Sequence, residues 1–402
     1  MQNQTSSKKH RVIIVGGGFG GIKTALDLTD SEDVDITLIS DGDNFHYHAS
    51  LYRAATGGSK VQTLIPLSEI FADTSVKLIK ARASKLNRKS KTLSTINGQH
   101  YPYDTLVLAL GSVTNYFGIR GLEKNSYGIK NYEQAVALNK HLHAQLIADH
   151  KPDFNYVVIG AGPSGVELAG VLPGYVKKIM KQHRLPGRTV HISLVEAAGR
   201  ILPSFSRDVS WSVARRLRRL GVHILTNKTV RGASSNDLII EGKSIKSNTI
   251  IWTAGITNHP FFTENNFLLD KTNRVKVNEY LEAEPDIFVL GDNASTKYSG
   301  MAQTAIRDGD LAAKNIKCRI KNELLHAYKP KRPFYITPVG RRWAVVVYGK
   351  WRLYGRLGWM IRRLADWMAY REVEPWWKAT RQWLAANDLA EDCSYCAVNN
   401  KS

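Results

Sequence analysis

Residues 11–21 read RVIIVGGGFGG, an apolar run that ends in a glycine-rich turn, and residues 34–39 read VDITLI, a second apolar run. A helical pattern of apolar residues lies between the two runs, so this order predicts a strand, a turn, a helix and a second, parallel strand. Gly16, Gly18 and Gly21 have G-x-G-x-x-G spacing. In such a turn the first glycine permits the tight bend, the second lets a pyrophosphate approach the backbone, and the third allows close packing of the helix.

The same pattern recurs later in the chain. Residues 156–159 read YVVI and lead into GAGPSG, in which Gly160, Gly162 and Gly165 have the same spacing, and residues 191–196 read HISLVE. One such turn can be purely structural. Two copies, each between a strand and a helix, favour two pyrophosphate sites, because a helix N-terminus supplies free N–H groups and the positive end of a dipole. Two dinucleotides on one chain are most simply explained by hydride transfer between a nicotinamide and a flavin.

Three further apolar runs end at or next to a glycine: residues 106–111, 249–255 and 287–292. Such runs are typical of buried parallel strands whose ends approach a ligand or a neighbouring backbone. Asp292 ends the last of them, where a carboxylate could accept hydrogen bonds from the hydroxyls of a flavin ribityl chain; an ordinary helix cap is the alternative. The predicted fold class is α/β, with two Rossmann-like dinucleotide-binding domains.

Length and charge set further bounds. The chain has 402 residues, too many for one hydrophobic core, so two or three domains are expected. It contains no run of about 18 uncharged apolar residues, the length that a spanning helix needs, and its polar first ten residues predict no secretory signal. The net charge of +21 implies an acidic partner surface, either anionic lipid or nucleic acid. About half of the excess lies in residues 326–385, where 13 Lys and Arg stand against three acids.

Cysteine usage narrows the chemistry. The three cysteines are Cys318, Cys393 and Cys396, so the first 300 residues contain no thiol. A disulfide framework is excluded and a reducing compartment is indicated. Cys393 and Cys396 have C-x-x-C spacing without a second pair or a nearby histidine, so no complete metal site is predicted within one chain. A dimer could in principle assemble four thiolates.

Five motifs have a family character: VIIVGGG (12–18), LALGSVTNYFG (108–118), VIGAGPSGVELAG (158–170), LVE (194–196) and IFVLGD (287–292). They resemble those of the two-dinucleotide-fold flavoproteins of the glutathione-reductase type. Within that group the chain resembles the type II NADH dehydrogenases, which are single-chain NADH:quinone oxidoreductases. The resemblance covers roughly residues 10–320. Disulfide reductases and sulfide:quinone oxidoreductases need thiols beside the flavin, so both chemistries are excluded by the cysteine positions.

The resemblance implies FAD in the first part of the chain and in a returning segment, with NADH between them. The implied divisions are residues 1–120 and 266–330 for FAD, 121–265 for NADH, and 331–402 for a C-terminal membrane-contact region and tail. NADH would bind at Gly160, Gly162, Gly165 and Glu196, and FAD at Gly16, Gly18, Gly21 and Asp292. The further candidate cofactor-binding residues are Phe19, Gly20, Ser40, Asp41, Gly111, Gly255, Gly291, Ala302 and Gln303.

Glu196 bears on the choice of nucleotide. It ends the strand after the second glycine turn, where a carboxylate would bond the adenosine 2′-OH and repel a 2′-phosphate. This favours NADH over NADPH. Arg200 leaves the alternative open, since a mobile arginine could accommodate a phosphate, and a solvated charged strand end is the other interpretation of Glu196.

Glu167 and Gln303 are the candidate catalytic residues. Glu167 lies on the first turn of the helix that follows the second glycine turn, and by resemblance it sits beside flavin and nicotinamide and can assist proton movement to a quinone. The alternative is a plain N-terminal helix acid stabilised by the dipole. Gln303 is a candidate for lining the quinone site.

Two positions depart from the family pattern. Ser40 stands where relatives usually carry the acid that binds the FAD ribose, so Asp41 could serve instead. Arg307 and Asp308 stand where relatives commonly have two glutamines, which leaves the quinone contacts, and hence the acceptor, open.

A basic amphipathic helix is predicted over residues 357–370. One face would carry Leu357, Met360, Ile361, Leu364, Trp367 and Met368, and the other Trp359, Arg362, Arg363, Asp366 and Tyr370. Seven of the nine tryptophans lie between residues 343 and 383. Such a helix can lie in a lipid headgroup layer, where tryptophan prefers the interface and arginine meets anionic lipid. Packing on the protein's own core or on a second subunit is the alternative.

The sequence thus favours a peripheral flavoenzyme on the cytoplasmic face of a membrane that oxidises NADH with FAD and reduces a membrane quinone, without pumping protons. Residues 331–386 would bind the anionic membrane surface, and quinone would enter between the helix of Gln303 and the C-terminal helices. A homodimer is compatible with this, and nucleic acid is not favoured as a partner. The alternatives are a soluble NADH-dependent reductase of an electron-carrier protein and a redox-sensing binding protein similar to relatives of apoptosis-inducing factor.

Overall fold

The computed structural model describes residues 9–147, 154–185 and 189–385. The paired cysteines at 393 and 396 lie outside these residues. The first part of the chain forms helices α1 (Phe19–Leu28), α2 (Leu51–Ala54) and α3 (Leu67–Ile70) and strands β1 (His10–Val15), β2 (Val34–Ser40), β3 (Asn44–His46), β4 (Leu64–Pro66), β5 (Lys77–Lys80), β6 (Ala83–Asn87), β7 (Thr92–Thr95), β8 (His100–Pro102), β9 (Thr105–Leu108) and β10 (Ser112–Thr114).

The middle of the chain forms a second set of elements. Its helices are α4 (Leu122–Asn125), α5 (Tyr132–Ile147), α6 (Pro163–Gln182), α7 (Arg207–Arg219) and α8 (Pro260–Glu264). Its strands are β11 (Tyr127–Gly128), β12 (Asn155–Ile159), β13 (His191–Val195), β14 (Val222–Leu225), β15 (Val230–Ala233), β16 (Asp237–Ile240), β17 (Lys243–Lys246), β18 (Thr249–Trp252) and β19 (Ile256–Asn258).

The last part contains helices α9 (Ala302–Ile320), α10 (Arg356–Arg371) and α11 (Trp376–Ala385). Its strands are β20 (Glu282–Glu284), β21 (Ile287–Val289), β22 (Tyr335–Pro338), β23 (Ala344–Tyr348) and β24 (Trp351–Gly355). Three short 3-10 helices complete the described elements, at His48–Ser50, Lys60–Gln62 and Gly291–Asn293.

Two mainly parallel sheets, the first with an antiparallel edge strand β20, confirm the predicted α/β architecture. The first has the order β20-β21-β9-β1-β2-β5, and the second β11-β18-β12-β13-β14. In the first sheet β1 pairs in parallel with both β2 and β9, and β21 returns from much later in the chain to pair in parallel with β9. The exact divisions after residues 120, 265 and 330 stay predictions.

Unbroken apolar runs form these central strands because both faces of a parallel sheet are covered. Val12 and Ile14 pack into one core with helices α1 and α9, whereas Ile13 and Val15 pack into another on the opposite face of the sheet. Successive side chains of a strand point to opposite faces, so a four-residue run serves two cores. The strand ends, and the glycine turns that follow them, are thereby held in fixed positions.

The C-terminal region is joined to both nucleotide-type halves. Strands β22, β23 and β24 form an antiparallel sheet. Val339 and Val345 belong to the core that surrounds β12 and α6, and Tyr370, Val373 and Ala379 belong to the core of the first sheet. In the described ranges, no helix is both long enough and apolar enough to span a membrane.

Helix α10 confirms the predicted element and reverses one expectation about it. Its apolar face is exposed: Leu357 is 61% exposed, Met360 59%, Leu364 54% and Met368 57%. The face that carries Arg362, Arg363, Asp366 and Tyr370 is buried. The prediction that the helix arginines meet lipid is therefore wrong for Arg362 and Arg363, because both guanidinium groups find acceptors inside the protein.

Candidate active site

The first glycine turn has the geometry of a pyrophosphate cradle. Gly16 has φ +115°, and a Cβ there would collide with the carbonyl oxygen of Ala109, while a Cβ on Gly21 would collide with the carbonyl oxygen of Gly16. A Cβ on Gly18 would meet no atom within 4 Å. Gly18 is also the N-cap of α1, and no side chain caps this helix. The N–H groups of the first turn of α1 are therefore available to an anion.

The second glycine turn repeats this geometry. Gly160 has φ +98°, a Cβ on Gly165 would collide with the carbonyl oxygen of Gly160, and a Cβ on Gly162 would meet nothing within 4 Å. Gly162 is the N-cap of α6, again without a side-chain cap. In both turns the outer glycines serve packing of the protein and the middle glycine leaves space for a ligand, so each turn fits a dinucleotide pyrophosphate.

A cavity of about 430 Å³ adjoins the second turn, and its lining includes Gly160, Gly162 and Glu196. The Glu196 carboxylate accepts N–H hydrogen bonds from Ala161 at 2.8 Å and from Ala198 at 2.9 Å. These two bonds fix the carboxylate on the cavity wall, where a nucleotide ribose would need an acceptor.

Arg200 is not free to bind a phosphate. Its guanidinium donates to the carbonyl oxygens of Leu202 and Phe205 and to Ser210 Oγ through Nη1, and to the carbonyl oxygen of Pro203 through Nη2. The geometry thus removes the sequence argument for NADPH at Arg200, although Lys228 also lines the cavity.

Asp292 lies beside two side chains that the sequence did not indicate, those of Ser112 and Lys130. Ser112 Oγ donates to Asp292 Oδ2 at 2.7 Å, and Lys130 Nζ donates to Ser112 Oγ at 2.8 Å. Burial lowers the pKa of Lys130, against the attraction of Asp292. Asn293 bonds both the N–H and the carbonyl oxygen of Gly111. The ends of β9 and β21 are thus joined at one sheet edge, beside the first glycine turn.

The remaining candidates around the first turn differ in position. Ser40 is buried, and its Oγ lies 2.9 Å from the place a Cβ on Gly17 would take, whereas Asp41 is exposed. Phe19 packs edge-on against Phe45, with ring centroids 4.8 Å apart. A Cβ on Gly20 would lie 3.4 Å from the carbonyl oxygen of Ala305 on α9. Ser40 is therefore nearer the turn than Asp41, and Gly20 has a packing role.

Gln303 makes contacts that its sequence position did not indicate. Helix α9 begins at Ala302, and the Gln303 amide exchanges two hydrogen bonds of 3.2 Å with the backbone N–H and carbonyl oxygen of Phe334. The amide therefore fastens α9 to the segment before β22. Gly255 lies against Asn115 and Phe117, at the ribbon of β10 and β19 that links the two halves.

The two departures next to Gln303 also have structural partners. Arg307 Nη1 donates to the carbonyl oxygen of Lys331 at 3.1 Å. Asp308 is fully buried, its Oδ2 accepts the N–H of Gly291 at 2.9 Å, and its Oδ1 has no hydrogen-bond partner within the described part of the chain. Burial raises the pKa of Asp308 to about 7.

Glu167 belongs to a buried charge cluster that the sequence did not reveal. Arg362 Nη1 lies 3.2 Å from Glu167 Oε1, and Arg362 Nε lies 2.8 Å from Asp366 Oδ1. Burial raises the pKa of Glu167 to about 7, despite the attraction of Arg362. The i,i+4 spacing of Arg362 and Asp366 on the polar face of α10 was the available signal, but it does not show which face is buried.

Residues 10–309 match the family described as pyridine nucleotide-disulphide oxidoreductase. A type II NADH:quinone oxidoreductase of Staphylococcus haemolyticus is 28% identical over 333 residues, 77% of this chain and 82% of the relative. One of Staphylococcus saprophyticus is 27% identical over 367 residues, 85% and 90% of the two chains. The solved structure of NDH2 from Plasmodium falciparum in complex with NADH has a TM-score of 0.84 at 17% identity and covers 94% of this chain and 98% of that one. This chain belongs to the pyridine nucleotide-disulphide oxidoreductase family.

Proposed function

We propose that this protein is a peripheral membrane flavoenzyme that oxidises NADH and reduces a membrane quinone. The observation that carries the proposal is the pair of glycine turns, each with its middle glycine open and each at an uncapped helix N-terminus. Family membership and the relatives named type II NADH:quinone oxidoreductase support the choice of reaction.

FAD is assigned to the first turn. Gly18 and the N-terminus of α1 would hold its pyrophosphate, and Asp292 would accept hydroxyls of its ribityl chain. When bound, FAD accepts a hydride from a nicotinamide and passes the electrons on to an acceptor. The Ser112 and Lys130 side chains hold the Asp292 carboxylate in place.

NADH is assigned to the second turn and its cavity. Gly162 leaves room for the pyrophosphate, and Glu196 presents an oriented carboxylate to the ribose hydroxyls. The same carboxylate would repel a 2′-phosphate. With Arg200 engaged by carbonyl oxygens, we infer a preference for NADH.

Glu167 is assigned to proton transfer. Reduction of a quinone to a quinol consumes two protons, and a group whose pKa lies near the working pH serves best as a donor. The Glu167 side chain is 12% exposed, so it can both hold a proton and exchange it with solvent. Gln303 acts in this proposal through its hold on Phe334, and so shapes the quinone entrance.

The outward face of α10 is assigned to the membrane. Five exposed apolar side chains lie on it, four of them more than half exposed, and Trp376 and Trp377 of α11 are 63% and 57% exposed. Arg356, Arg371 and Arg381 are exposed on the same two helices, which suits an anionic headgroup layer better than a neutral protein surface. Because NADH is a cytoplasmic nucleotide, we place this face at the cytoplasmic side.

The test uses FAD-loaded protein, liposomes that contain anionic lipid, and a long-tailed quinone. We expect Leu357, Met360, Leu364 and Met368, all changed to Ser, to abolish retention on the liposomes and to slow reduction of the long-tailed quinone. Burying four half-exposed side chains is worth about 4 kcal/mol, or on the order of 10³-fold in partitioning. Reduction of a short, water-soluble quinone should be unchanged.

A matched control changes Ile96, Leu268 and Leu324 to Ser, because these exposed side chains lie elsewhere on the protein. Liposome retention that survives the changes on α10 would refute the membrane assignment. Conversion of a dimer to a monomer by the same changes would show that a second copy covers α10. NADH oxidation by soluble one-electron acceptors without reduction of any quinone would instead support a soluble reductase of an electron carrier.

A further inference from the structure

Arg362 is held by acceptors from four separate parts of the chain. Its Nε donates to Asp366 Oδ1 at 2.8 Å, its Nη1 to Glu167 Oε1 and to the carbonyl oxygen of Ile336 at 3.2 Å each, and its Nη2 to the carbonyl oxygen of Ala49 at 2.6 Å. A guanidinium has five N–H donors in a fixed fork. The four hydrogen bonds leave the Arg362 guanidinium little freedom. The position of its charge relative to Glu167 is therefore defined by the surrounding fold.

Asp366 competes with Glu167 for the Arg362 charge. Asp366 is 1% exposed and also accepts hydrogen bonds from Tyr47 Oη at 2.7 Å and Arg53 Nη2 at 3.2 Å. Burial raises the pKa of Asp366, but the attraction of Arg362 and Arg53 outweighs this and leaves that pKa below its ordinary value. Asp366 therefore stays ionised and neutralises part of the charge that would otherwise ionise Glu167.

The two carboxylates thus have different tasks. Asp366 has three donors and is sealed from solvent, which suits a permanent anion. Glu167 has a single long contact with Arg362 and a side chain that is partly open to solvent, which suits a group that changes protonation. The cationic groups that face Glu167 are Arg362 and Arg53, and the anionic one is Asp366.

We propose that Arg362 is a positioning residue for Glu167: shared between two carboxylates, it fixes the Glu167 side chain and sets the pH at which that side chain gives up its proton. This inference deepens the proposed function and rests on it for its catalytic meaning. The ion pair between Arg362 and Glu167 also joins α6 to α10, whose opposite face is exposed.

The first measurement is independent of turnover. We expect the infrared band of the protonated Glu167 carboxyl, identified by its absence in Glu167→Gln, to titrate at a pH at least about one unit higher in Arg362→Gln. Asp366→Asn should move the titration the opposite way, to lower pH, because the Arg362 charge then acts on Glu167 alone. Arg362→Lys should restore part of the original midpoint.

Arg363→Gln is the matched control, since Arg363 is the neighbouring buried arginine, bonds the carbonyl oxygen of Trp383 and does not contact Glu167. In Arg363→Gln, the Glu167 carboxyl should titrate at the same pH as in the unaltered protein. If Arg362→Gln fails to fold, as judged by its FAD content and circular dichroism, the downward shift in Asp366→Asn remains as the test. A Glu167 midpoint that moves in none of these variants would overturn the inference.

Turnover supplies the second readout. If protonated Glu167 donates to the quinone, activity falls as pH rises through its midpoint, and Arg362→Gln should move that falling limb upward by the amount seen in the infrared titration. An unaltered enzyme that reduces no quinone, with the infrared shifts as expected, would refute the proposed function and leave the positioning role intact. Normal quinone reduction by the unaltered enzyme, with an unmoved falling limb in Arg362→Gln, would refute the positioning role of Arg362 and leave the proposed function intact.

Discussion

Gly18→Ala should produce a folded protein that has lost FAD. Gly18 has φ −94° and ψ −177°, an extended conformation that any residue adopts, and its Cβ would enter open space. The new methyl group would stand where a pyrophosphate has to approach the helix N-terminus. The fold should therefore tolerate the change, and only the ligand should be displaced.

The size of the effect follows from the hydrogen bonds at risk. If the displaced pyrophosphate loses one or two charge-assisted N–H bonds, worth about 1.5–3 kcal/mol each, FAD binding weakens by a factor on the order of 10 to 10⁴. The same change at Gly162, whose φ and ψ are −71° and −177°, should weaken NADH binding by a similar factor and spare FAD.

The assay measures the flavin absorbance of purified protein, the FAD dissociation constant by fluorescence, and the melting temperature of the FAD-free forms. Gly174→Ala is the control, because its Cβ would also meet nothing within 4 Å but it lies on α6, outside both turns. Gly16→Ala should instead unfold the protein, since its Cβ would collide with the carbonyl oxygen of Ala109. A Gly18→Ala protein with full flavin content and unaltered affinity would refute the assignment of the first turn.

Two other predictions concern individual carboxylates. Glu196→Gln should narrow the preference for NADH over NADPH by about tenfold or more, measured as the ratio of flavin-reduction rates, because the repulsion of the 2′-phosphate is lost; equal use of both nucleotides by the unaltered enzyme would contradict the argument. Asp308 has a folded-state pKa raised to about 7, so its neutral form stabilises the fold below about pH 4 and this contribution is lost as pH rises through 7. Asp308→Asn should therefore raise the free energy of unfolding at pH 8 by up to about 4 kcal/mol, which is measured as a higher melting temperature. At pH 4 the substitution should leave the melting temperature nearly unchanged. An equal effect at both pH values would show that Asp308 does not titrate as described.

Local patterns were enough to predict the two glycine turns and the strands and helices on either side of them. The runs around Gly16 and Gly160 combine strand, turn and helix within about 20 residues each, and the geometry of each turn depends on contacts inside that short stretch. The charge and position of Glu196 follow from the same unit. These features are fixed by neighbours in the sequence, so a sequence analysis can recover them.

The features that sequence analysis missed depend on distant partners. Gln303 bonds a backbone 31 residues away, and Arg362 meets Glu167 across 195 residues. A helical wheel divided α10 into the correct two faces, but its arginines were expected to meet anionic lipid, and the wheel does not show which face the rest of the chain covers. Arg362 is inside because two carboxylates and two backbone carbonyl oxygens accept its N–H groups, and Arg363 donates to the carbonyl oxygen of Trp383.

The shared cores of the C-terminal region limit how the enzyme can move. Val345 is packed in the core around β12 and α6, Tyr370 is packed in the core of the first sheet, and the covalent segment between them includes α10. A hinge that swung the halves apart would have to tear one of these hydrophobic contacts or stretch that segment. We therefore expect the nucleotide to enter and leave through the mouth of its cavity by side-chain motion alone, with no opening between the two halves during turnover.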